Sequence, residues 1–206
     1  MKFYLKKLFG LGVLALGTLS AAHAFDPNDI QLGNPRLAGS GCRAGTADAV
    51  LSDDAKTLSI LFDDYVAEAG GSTGRTITRK GCNVAVPVHV PQGFSVSLID
   101  VDYRGFISLP RGAYARLSTS YFFAGQRGPS KNKMFRGGFE DEYVMSPRLI
   151  VGALAWSRCG ADVILRAKTS LMVKNRNRNV EAIGTVDSID VQAGIIYKLQ
   201  WKRCRR

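Results

Sequence analysis

An all-β fold is the prediction for this chain: a single antiparallel β-sandwich-like domain stabilised by two disulfides. Three observations carry it. Apolar residues recur with a period of two in several runs, the pattern of a strand with one buried face. Glycine is frequent, 22 residues in 206, and falls between those runs where turns are needed. Beyond the N-terminus no stretch keeps a period near 3.6 residues, so amphipathic helices are not expected. Many short strands with Gly-rich turns point to a sandwich or barrel.

In chain order, residues 1–24 come first and read as a secretory signal. Lys2, Lys6 and Lys7 precede an uncharged apolar run over residues 8–19, and Ala22 and Ala24 supply the small pair for cleavage. The run is shorter than the roughly 20 apolar residues a membrane span needs. No transmembrane segment is therefore expected in the mature chain. The same signal serves periplasm and medium, so the expectation is export to either. Residues 25–40, with Pro27, Gly33, Pro35 and Gly39, read as an N-terminal lead-in rich in turn chemistry. Residues 41–206 read as the domain.

Within it, Leu58, Ile60 and Phe62 form a short alternating run. Val84, Val86, Val88 and Val90 form the next, and Pro87 within it argues for an edge position or a bulge. Phe94, Val96 and Leu98 share one face, but Ile99, Val101 and Tyr103 are the apolar set that follows. The apolar phase flips between Leu98 and Ile99, which a β-bulge would accomplish. Further stripes are Ala115, Leu117, Thr119, Tyr121 and Phe123; Val163, Leu165, Ala167, Thr169, Leu171 and Val173; and Ala193, Ile195, Tyr197, Leu199 and Trp201. Residues 149–156 are almost continuously apolar and suit a central strand. Opposite the last two stripes stand Arg166 and Lys168, and Lys198 and Lys202. Side by side, those two strands would make one basic sheet face.

Cys42, Cys82, Cys159 and Cys204 all follow the signal. An even number in an oxidising compartment reads as two disulfides. Of the three possible pairings, Cys42–Cys82 with Cys159–Cys204 is preferred because each closes the nearer loop. Zinc usually brings closely spaced ligand pairs, and no two of these cysteines are neighbours. No metal site and no cofactor is expected.

Several motifs in order resemble a known family: Gly39 to Thr46 around Cys42, Val90 to Phe94, Asp100 to Gly105, Trp156 to Gly160, Asp187 to Asp190, and Tyr197 to Cys204. Together they resemble the secreted family described as domain of unknown function 4360, over nearly the whole mature chain. The resemblance implies a small exported protein with similar cysteine placement. It implies no activity and no catalytic residues. This chain departs from it by being more basic near residues 127–136 and 174–178.

Catalytic constellations are not found. His89 is the only histidine after the signal, the cysteines are taken up in disulfides, and no G-x-S-x-G elbow exists. Asp100 and Asp102 stand one strand period apart and raise the alternative of a hydrolase with carboxylate chemistry; the structural reading is that they pair with Arg104 or cap a turn. Asp53, Asp54, Asp63, Asp64 and Glu68 bracket the Leu58 run without a D-x-D-x-D-G calcium loop, and read as solvated turns. Phe122 interrupts its alternation and is the aromatic residue expected to be exposed. The formal charge of +11 falls to +8 without Lys2, Lys6 and Lys7. The expected function is a non-enzymatic binding or structural module, with a basic surface for an anionic glycan or lipid headgroup. Arg104, Arg166, Lys168 and Lys198, with Asp100 and Asp102, are the candidate ligand-binding residues. Interleaved exposed aromatics are not seen, so no specific nucleic acid is expected.

Overall fold

The computed structural model describes residues 31–53, 57–146, 156–186 and 195–204. The export signal, Asp54, Asp187, Asp190 and the apolar run at 149–155 lie outside the described residues. Among the described residues thirteen strands are present: β1 (Gln31–Leu32), β2 (Arg36–Ala38), β3 (Ala47–Leu51), β4 (Thr57–Phe62), β5 (Val66–Ala69), β6 (Ile77–His89), β7 (Phe94–Leu109), β8 (Tyr114–Phe123), β9 (Ser130–Arg136), β10 (Phe139–Met145), β11 (Val163–Lys174), β12 (Ala182–Thr185) and β13 (Ile195–Arg203). All strand pairings are antiparallel.

These strands build two sheets. In the first, β1 and β2 lie beside β6, followed by β11, β8 and β9. In the second, β3, β4, β13 and β7 are neighbours, with β12, β5 and β10 completing it around β7. Tyr103 pairs with both Ile195 and Met145, and Ile107 with both Asp141 and Gly184. So β10 takes one edge of the 16-residue β7, while β13 and β12 share the other.

The alternating stripes turn inward as their period requires. Val84, Val86 and Val88 of β6, Ala115, Leu117, Tyr121 and Phe123 of β8, and Leu165, Ala167, Leu171 and Val173 of β11 are all buried. From the second sheet Leu58, Ile60, Val101, Tyr103 and Ile107 meet them in one core. Two hydroxyl pairs cross between the sheets inside it: Tyr65 Oη with Thr169 Oγ1 at 2.9 Å, and Tyr103 Oη with Tyr121 Oη.

The phase flip at Leu98 and Ile99 is a bulge. Lys198 pairs with Asp100, but the next residue, Leu199, pairs with Leu98, leaving Ile99 as the extra residue on β7. One inserted residue lets Val96 and Val101 both face the core although an odd number separates them. Pro87 is explained similarly. Its carbonyl accepts from Gly33 N–H at 2.8 Å, in the break between β1 and β2. The edge of β6 that lacks an N–H therefore faces an interrupted neighbour rather than β11.

The disulfides are Cys42–Cys82 and Cys159–Cys204, with Cα atoms 5.4 and 6.1 Å apart. The first joins β6 of the first sheet to the segment leading into β3 of the second. The second anchors the end of β13 to the segment after Trp156.

One expectation is corrected, and two strands appear where the sequence pattern raised no expectation of any. The strands carrying Arg166 and Lys168 (β11) and Lys198 (β13) are not side by side; they belong to different sheets. And the basic cluster at 131–136, with the acidic stretch after it, forms β9 and β10. Only Phe135, Tyr143 and Met145 are buried there, so the amphipathic signal of a strand is nearly lost.

Candidate binding face

Because β6, β11, β8 and β9 are in continuous register, their outward positions form rows across the first sheet. One row is Ile77, Lys174, Tyr114 and Arg136; the next is Arg79, Met172, Arg116 and Met134. Then come Gly81, Ser170, Ser118 and Asn132, and after them Asn83, Lys168, Ser120 and Ser130. Beyond these, Arg36 of β2, Ala85, Arg166 and Phe122 stand abreast. These five rows contain no carboxylate.

The two middle rows carry small side chains between two rows of large ones. The result is an open trough of about 300 Å³ lined by Ser118, Ser120, Ser130, Asn132, Lys168 and Ser170. Next to it a hollow of about 560 Å³ contains Tyr114, Arg116, Arg136, Met134 and Met172. Arg116, Met134 and Met172 thus form the bank between trough and hollow. Lys168 leans away from the trough: its Nζ lies 5.4 Å from the centre of the Phe122 ring. Lys174 lies over Tyr114 in the same manner, at 5.8 Å. A ring under each ammonium fixes its position by cation–π attraction. Phe122 points to the outer side, as its break in alternation suggests, but it is half-buried rather than exposed.

The sequence-predicted residues separate. Arg166 and Lys168 stand together on the outer side of β11. Asp102 and Arg104 stand on the outer side of β7 in the second sheet, both half-buried. Asp100 and Lys198 are backbone partners there, and their side chains lie outside what is described. Asp102 lines neither concavity on the first sheet. The sequence reading missed Arg79, Arg116 and Tyr114; the signal for Arg116 was its place opposite the apolar stripe of β8.

The outer side of the second sheet has a different character. Among its described side chains, Asp48, Glu68, Asp102, Glu140 and Glu142 outnumber Arg104 and Lys202, and Val50, Leu61 and Val144 are exposed.

His89 has a partner that the sequence reading did not supply. Its Nδ1 lies 2.6 Å from Asp162 Oδ1, a residue 73 positions away. Both side chains are exposed, and the adjoining cavity of about 470 Å³ is lined by Leu32, Gly33, Pro87, Val88, Val163 and Ile164 as well as the pair. It offers no hydroxyl or thiol nucleophile. Arg43 bonds Asp64 and holds that carboxyl below the usual carboxylate range.

Comparison with known proteins gives three findings. The model of the family described as Domain of unknown function (DUF4360) matches residues 28–204. A protein of Arthroderma benhamiae called "Uncharacterized secreted protein" is 30% identical over 183 residues, covering 88% of this chain and 75% of that one. Among solved structures, the chain is similar to one in "Structure of TmCBM61 in complex with beta-1,4-galactotriose", at 13% identity and a TM-score of 0.25, covering 82% of this chain and 88% of that chain. So loose a superposition bears on neither fold nor ligand.

Proposed function

We propose that this chain, which belongs to the DUF4360 family, is a secreted, non-enzymatic binding module for an anionic glycan. The observation that carries this is the outer side of the first sheet, where seven cations and no carboxylate occupy the register rows. Charges of one sign on a surface attract and retain a polyanion. The recessed, hydroxyl-lined middle favours a glycan over a lipid surface, which rewards protruding apolar side chains. Export is supported by the N-terminal pattern, by two disulfides and by the relative called secreted.

For the hydrolase alternative centred on Asp100 and Asp102, Asp102 faces outward from the second sheet and, among the described residues, lines none of the three cavities named above. The test is retention on immobilised polygalacturonate over a salt gradient. The wild type is retained at low salt and released by added salt. Replacing Arg116, Arg166 and Lys168 together by Ser removes three charge contacts at the surface of about 0.5 kcal/mol each, weakening binding about tenfold. Equal elution of wild type and triple variant at every salt concentration rejects the proposal.

A further inference from the structure

We infer that the glycan is a linear acidic chain lying across the strands, in the trough, rather than along them. This rests on the reading above and adds to it the orientation and length of the bound segment. The trough is lined by three adjacent strands, from Ser170 of β11 through Ser118 of β8 to Asn132 of β9, and the same row continues onto a fourth, β6, at Gly81. Gly81 has no side chain to block the β6 end, and among the described residues β9 is an edge strand, with no described strand beyond it. Along the strand direction the floor is only two rows deep before it meets Arg116 on one side and Arg166 with Phe122 on the other.

Size favours the crosswise path. Four strands span three inter-strand spacings, about 14 Å. A pyranose and its linkage advance a chain by roughly one strand spacing, so about three sugars fit between the ends. The chemistry also matches. Serine hydroxyls and the Asn132 amide donate to and accept from sugar hydroxyls. Arg116 on one bank and Arg166 on the other each present a planar fork to a carboxylate or sulfate, and Lys168 adds a point charge beside Arg166. Lys168, held over Phe122, leaves the floor clear.

The experiment is titration calorimetry with oligogalacturonates of two to six units, alongside neutral and sulfated oligogalactosides of the same lengths and anionic lipid vesicles. Expected is an affinity that climbs to about three units and then levels, with neutral oligomers at least about tenfold weaker. Ser118→Tyr and, separately, Ser170→Tyr fill the floor without touching a cation. Each is expected to lose short-oligomer binding about tenfold, keeping salt-sensitive retention on the polymer and the wild-type melting temperature. Two variants on different strands guard against one that misfolds. Sulfated oligomers binding better than uronates at equal length would identify the acid group as sulfate and uphold the inference. Affinity that keeps rising to six units, or trough variants that bind as wild type, overturns the crosswise path and leaves the basic-face reading standing. No salt-sensitive retention on either glycan, or binding to vesicles alone, overturns both.

Discussion

At the scale of single residues, Tyr65 shows how burial couples the core to solution pH. Its ring is fully buried and its hydroxyl meets Thr169 across the two sheets. Burial pushes its pKa up to about 12. The folded state therefore keeps a proton that the unfolded chain releases near pH 10. The stabilisation is complete below that value and is lost as pH rises through the folded pKa, at about 1.4 kcal/mol per pH unit. Tyr65→Phe is expected to lose about 1 kcal/mol at neutral pH, because Thr169 loses a buried partner. Between pH 10 and 12 the variant should lose stability less steeply than wild type. Denaturant titrations at pH 7, 10 and 11.5 check both parts, and parallel pH curves would contradict the assignment. Tyr121 was legible in its stripe, but Tyr65 sits in no alternating run. Its role depends on a partner 104 residues away, a distance at which local patterning carries no information.

At the scale of elements, the bulge makes a counterintuitive prediction. Deleting Ile99 removes the extra residue and leaves Leu98 and Asp100 consecutive, opposite Leu199 and Lys198. The inside–outside phase on both sides is then preserved. Deleting Phe106, where pairing is regular, throws Ile107 and Leu109 out of the core. The first variant is expected to keep a cooperative unfolding transition and the second to lose it, as seen by circular dichroism during urea unfolding. The bridges also differ as elements. Cys42 and Cys82 are buried, whereas Cys159 is exposed and Cys204 half-buried. Graded reduction followed by alkylation and mass mapping should open Cys159–Cys204 first, because attack needs access to a sulfur. Opening in the reverse order would contradict the burial argument. The bulge and both pairings were legible because each leaves a mark in the sequence: a broken phase and a short loop. β9 and β10 were not, because edge strands solvated on both faces alternate weakly and read as charge clusters.

At the scale of the whole molecule, the arrangement of sheets decides what meets what. Arg166 and Lys168 were read correctly as outward, but their companions proved to be Arg79 and Arg116, not Lys198. Alternation gives the face of each strand; it does not give the strand order, which long-range contacts set. The rows of the first sheet, with their trough of small residues, exist only once β6, β11, β8 and β9 are in register. The salt response and the chain-length response proposed above therefore belong to the assembled sheet. A Ser118→Tyr change tests a property that no single strand possesses.

The contrast between the two outer sides carries one more consequence. A sandwich with cations on one broad side and mostly carboxylates on the other is a plate polarised through its thickness. Laid on a negatively charged polymer, it would settle with the first sheet down and present Asp48, Glu68, Glu140 and Glu142 to the medium. The face turned to the medium would then be less positive than the chain's net charge alone implies, so a coating of this kind would reverse the polymer's charge less readily than an evenly basic protein would.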